Sequence, residues 1–150
     1  MKKILVTFVS ALLSISLIGS ASAFELSGNH WTAKAATYGV GIPGVSPSGV
    51  AYADAFKEAM TQWTQQTSFV FTSVDQYQDP CIDRGDGQFG DGESGVDFGA
   101  NVCGNEFGSA VAIALTAGTC FDNSCTTGFD IKEADIVFKE SVEWDVYDGP

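Results

Sequence analysis

Val50-Ala51-Tyr52-Ala53-Asp54-Ala55-Phe56-Lys57-Glu58-Ala59-Met60-Thr61-Gln62-Trp63-Thr64-Gln65-Gln66, followed almost at once by Ser68-Phe69-Val70-Phe71-Thr72-Ser73-Val74, decides the fold. In the first stretch Tyr52, Phe56, Ala59 and Trp63 fall at i, i+4, i+7 and i+11, one face of a 3.6-residue period. Lys57, Glu58, Thr61 and Gln62 take the other faces, and no Gly or Pro interrupts the run. The pattern predicts a helix over 50–66 with Trp63 packed in the core, where aromatics at helical spacing usually go. From Ser68 the period drops to two. Phe69 and Phe71 share one face and Val70, Thr72 and Val74 the other, which is a strand.

Upstream, Gly41 to Gly49 is a Pro/Gly/Ser loop in which Ser46 or Ser48 can cap the helix, with Asp54 near the positive end of its dipole. Ala33 to Ile42 alternates as a first strand, after an irregular lead-in over 24–33. Downstream, residues 75–94 form a long acidic, glycine-rich loop and Gly95 to Phe98 a short strand. A turn-rich link over 103–108 leads to Ser109–Thr116. There Val111, Ile113 and Leu115 oppose Ala110, Ala112 and Ala114, so this strand has one large-residue face and one shaved face. Ile131 to Lys139 is the last strand, with Ile136 and Phe138 as its apolar pair. Strand, helix, strand, then several strands make an α+β chain: a mixed sheet with a helix packed on one face.

Residues 1–23 have the three parts of a secretory signal. Lys2 and Lys3 precede the uncharged run Ile4–Ile18, and Gly19-Ser20-Ala21-Ser22-Ala23 ends in an A-x-A pattern, placing the cut between Ala23 and Phe24. The apolar run falls short of the ~20 residues that a membrane span needs. We therefore expect a secreted or periplasmic protein, free of the membrane after cleavage, with residues 24–150 forming one domain or part of one. The 11 Phe, 3 Trp and 4 Tyr suffice for a core of that size.

Charge narrows the partners. The chain carries 19 Asp and Glu against 7 Lys and Arg, a surface that repels phosphate backbones and argues against nucleic acid. Cys81, Cys103, Cys120 and Cys125 all follow the signal, so two disulfides are expected in an oxidising compartment. Of the three pairings, Cys81–Cys103 with Cys120–Cys125 closes one loop each between predicted elements. A four-thiolate zinc site is disfavoured because no C-x-x-C pair occurs.

Few catalytic patterns are present. The single histidine, His30, lies in the lead-in with no G-x-S-x-G elbow to accompany it. The glycine-rich run at 85–92 lacks the Lys-Ser/Thr end of a phosphate loop. Nineteen acids make a glycosidase pair trivial to imagine, so none is assigned. What stands out is the acidic loop: Asp83, Asp86, Asp91 and Glu93 among glycines offer the oxygens and sharp turns that calcium takes. Their spacing fits neither an EF-hand nor a calcium nonapeptide repeat. The alternative is a solvated loop held by Cys81–Cys103.

An ordered set of short segments remains: A-F-K-E-A-M-T-Q-W (55–63), T-S-F-V-F (67–71), D-P-C (79–81), G-V-D-F (95–98), C-G-N-E-F-G (103–108), A-I-A-L (112–115) and I-K-E-A-D-I-V-F-K (131–139) before Trp144. Over about residues 31–148 this order resembles the N-terminal half of the catalytic domain of matrixin-like zinc proteases, the secreted bacterial members of the metzincin group. The resemblance implies a metzincin-like upper subdomain: a twisted, mostly parallel sheet with a packed helix, roofing a substrate cleft. It implies that the strand containing Ala110, Ala112, Ile113 and Ala114 lies at the sheet edge and pairs with an extended peptide substrate, and it makes structural calcium more expected. Such proteases bind zinc through H-E-x-x-H-x-x-G-x-x-H, which does not occur in this sequence. This chain therefore has no zinc ligands and no general base of its own. The expected protein is a secreted zinc endopeptidase, represented here by a fragment expected not to hydrolyse peptides because the chain stops at Pro150, ahead of the zinc helix, and expected to be a monomer. The rival expectation is a non-catalytic secreted module that binds calcium or a partner through the acidic loop.

Overall fold

The structure is a computed structural model and describes residues 28–82 and 90–146. The signal segment, its cut after Ala23, and Asp83 and Asp86 lie outside the described residues. The elements run β1 (Ala35–Gly39), α1 (Tyr52–Gln66), β2 (Val70–Val74), β3 (Ser94–Gly99), β4 (Ala112–Cys120) and β5 (Phe129–Lys139). They form an α+β architecture, one five-stranded sheet in the order β2-β1-β3-β5-β4 with the helix on one face. β1 is parallel to β2 and β3, and β3 to β5. Only β4 runs the other way, antiparallel to β5, with a bulge between Ala117 and Gly118. A parallel pair needs a long crossover, and α1 supplies it between β1 and β2.

The helix-side core joins Ala36, Tyr38, Val40 and Ile42 to Met60 and Val96, with Phe56, Phe71, Phe98 and Phe138 packed around them. On the opposite face Val102, Phe107 and Val137 form a second cluster with Ile113 and Leu115. Both faces of β5 are thus covered along its middle, where Ala134, Asp135 and Val137 are all buried. Disulfides join Cys81 to Cys103 and Cys120 to Cys125. The first ties the segment after β2 to the turn after β3; the second closes the β4–β5 connection. Among the described residues no helix is long and apolar enough to cross a membrane.

Several expectations need correction. Trp63 is not in the core: it is 62% exposed, while Met60 is buried. The inward stripe runs through Ala53, Phe56 and Met60 to Thr64, whose hydroxyl accepts the Phe71 amide at 2.9 Å. That bond fixes the helix's rotation and turns Trp63 outward. Neither Ser46 nor Ser48 caps α1. The cap position is Ala51, without a side-chain bond, and the Tyr52 amide donates to the Gly44 carbonyl. Ser46 instead closes the preceding turn, its hydroxyl accepting the Val50 amide at 3.2 Å. The lead-in is not wholly irregular, since His30 bridges in parallel to Asp130 and exchanges backbone bonds with Phe129 and Ile131.

Candidate functional site

β4 starts at Ala112, not Ser109, because the Ala110 amide turns back to the Phe107 carbonyl at 3.0 Å. Ala110 therefore stands in a turn before the strand and is not part of the edge. Ala112, Ile113 and Ala114 are in it, opposite Phe138, Val137 and Ile136. The Val111 carbonyl accepts the Lys139 amide at 2.8 Å, so Val111 and its alternate neighbours Ile113 and Leu115 aim their backbone groups at β5. By the same alternation Ala112, Ala114 and Thr116 aim theirs outward. Among the described residues no strand pairs with that side of β4. Side chains follow the division: Ile113 and Leu115 pack into the second cluster, whereas Ala114 and Thr116 are exposed. The outcome is a short edge with free amides and carbonyls and almost no side-chain bulk.

The acidic loop is brought together only in part. Asp91 is held within its own neighbourhood: one oxygen accepts the Glu93 amide at 2.9 Å and the other the Gln78 side-chain amide at 2.7 Å. Glu93 is exposed. Among the described residues no group of three or more His, Cys, Asp or Glu is placed to hold a metal. His30 stacks on Phe121 with ring centroids 4.7 Å apart, and its Nδ1 lies 3.1 Å from the Gly28 carbonyl. All four cysteines are spent in disulfides. The residues described therefore do not fit a zinc centre.

Two buried acids escaped the sequence reading. Glu133 and Asp135 are each 2% exposed and share one face of β5 with Ile131 and Val137. Asp135 accepts the Gly95 amide at 2.7 Å, and Glu133 accepts the Gly92 amide. Burial, then the hydrogen bond and charge of Glu133, push the Asp135 carboxyl up to about 8, against the opposing pull of the Gly95 amide. Their signal lay in E-A-D, where two acids sit two apart within an apolar strand.

A groove of about 200 Å³ opens between α1 and the sheet, lined by Tyr52, Phe56, Phe98, Phe138 and Trp144. The segment after β5 forms its rim: Tyr52 donates its hydroxyl to the Trp144 carbonyl at 2.9 Å, and the Trp144 indole donates to the Lys139 carbonyl at 3.0 Å.

No family model, curated protein or solved structure matches the chain.

Proposed function

We propose that this chain serves a secreted, matrixin-like zinc endopeptidase as the part that holds the extended peptide substrate. The observation that carries the reading is the β4 edge. It is the antiparallel border of an otherwise parallel sheet, with the backbone of Ala112, Ala114 and Thr116 directed outward and little side-chain bulk beside it. A peptide laid along such an edge gains main-chain hydrogen bonds whatever its sequence, and specificity is left to its side chains. The order of segments from the helix to E-A-D-I-V-F and Trp144 supports the same reading. Zinc chemistry lies outside it: the described residues do not fit the metal, so the role proposed here is binding and orientation.

Three experiments test this. Sequencing past the Pro150 codon is expected to show an open frame encoding H-E-x-x-H-x-x-G-x-x-H; a stop codon there would overturn the protease reading and favour a binding module. In amide NMR, titration with a peptic digest of casein is expected to shift Ala112, Ala114 and Thr116 before other residues. Shifts confined to another surface would remove β4 as the substrate edge. The purified chain is expected to leave casein intact, and chelator-sensitive cleavage would refute the absence of a catalyst.

A further inference from the structure

The underside of the sheet is divided along β5. Its C-terminal half is apolar, with Val137 under Val102 and Phe107. Its N-terminal half carries Glu133 and Asp135, covered by residues 90–95. That cover is close. A β-carbon on Gly90 would lie 2.6 and 2.8 Å from the Glu133 oxygens and 2.8 Å from the Ala117 side chain of β4. Ser94 adds a bond in the opposite sense, its hydroxyl accepting the Ala134 amide at 3.1 Å. Three consecutive contacts thus fasten one segment to two buried acids and the residue between them.

We propose that Glu133 and Asp135 form a pH-operated latch: with a proton shared between them they hold residues 90–95 against β5, and its loss releases that segment. The inference stands apart from whatever the β4 edge binds. The charged and titratable groups around the pair offer little compensation. From the covering segment come Asp91 and the exposed Glu93; Asp97 of β3 is occupied by the Tyr77 hydroxyl at 2.9 Å. From β1 comes Tyr38, whose phenol is pushed up by burial and then by the Asp135 charge. Leu115 and Ala117 of β4 bring no charge. Lys132 lies on the opposite face of β5 and pairs with Asp130. Among the described residues the ion pairs are that one and Lys57–Asp75, and neither involves a latch acid.

Two ionised carboxylates at this depth repel each other and lose hydration, so one proton stays with the pair until the solution is alkaline. Amide bonds from Gly92 and Gly95 favour ionised acceptors, but they serve two acids that cannot both ionise while covered. Lifting the segment admits water and relieves both costs. The raised folded-state value of Asp135, about 8, sets the pH by which the release is complete. Its contribution to holding the segment is complete below the ordinary carboxylate range and is lost as pH rises through that value.

The test is deuterium exchange at the Gly92 and Gly95 amides of the purified chain from pH 6 to 10 in chelator-containing buffer, corrected for intrinsic base catalysis. Protection is expected to fall about tenfold per pH unit from 6 to about 8 and to level off above it, while Val137 and Tyr38 amides hold theirs. Asp135→Asn keeps an acceptor for Gly95 but cannot ionise, and its protection should stay level throughout. Level protection in the unaltered chain, or the same fall in the variant, would overturn the latch. Should the variant not fold, carboxyl carbon NMR of the unaltered chain decides: one of the two acids must titrate well above the rest, and ordinary titration of both would end the proposal.

Discussion

At the scale of single residues, the fold depends on which side chains face inward, and hydrophobicity alone does not tell. Met60 is 6% exposed and Trp63 62%, three positions apart on the same helix. Truncating Met60 to Ala should cost about 2–5 kcal/mol. Trp63→Ser should change stability by less than about 0.5 kcal/mol, both read as urea midpoints at constant slope. The periodicity of 50–66 revealed the helix but not its rotation, which the Thr64–Phe71 bond sets across a sequence gap. Asp122 makes a second local prediction. Its carboxylate accepts bonds from the hydroxyls and amides of Ser124, Thr126 and Thr127, in and just after the Cys120–Cys125 loop. Those bonds, the Thr127 hydroxyl first, hold it far below the usual carboxylate range. A depressed value means the tie is present above the ordinary range and lost as pH falls. Asp122→Ala should therefore speed amide exchange at Thr126 and Thr127 at neutral pH but make little difference in strong acid.

Among the elements, β4 was the least legible in position and the most legible in character. Alternation of large and small residues identified a strand with a shaved face, and Ile113 and Leu115 do pack inward. Its start was misplaced because a turn at Phe107–Ala110 takes up residues that alternate equally well. Its length was underestimated because 116–120, rich in Thr and Gly, pairs with β5 without an apolar pattern. Proline distinguishes the two sides of this strand. At Ile113 it removes an amide directed at β5 and should destabilise the chain by about 1–3 kcal/mol. At Ala114 it removes an amide directed outward, and an edge strand tolerates that. Ala114→Pro is expected to melt close to the unaltered protein yet lose the peptide-induced shifts at Ala112 and Thr116; thermal unfolding and amide NMR measure the two effects.

For the molecule as a whole, the mixed sheet and its covering helix could be anticipated from the order of periodic segments. The strand order and the pairing of distant acids with the 90–95 segment could not, since both arise from non-local contacts. The aromatic groove between α1 and β5 belongs to this scale too. It should bind an environment-sensitive naphthalene sulfonate dye, and Ala55→Leu, which adds bulk to its wall, should reduce the fluorescence without lowering the melting point. Unchanged fluorescence would place the dye elsewhere. The position of β5 between β3 and β4 has one more consequence. Among the described strands it comes last in the chain, and β4 joins the rest of the sheet only through it. A ribosome-bound chain can form the α1 crossover early, but it lacks the seam between β3 and β4 until Lys139 has been added. Commitment to the finished sheet is thus postponed until β5 is made, leaving the chain open until then.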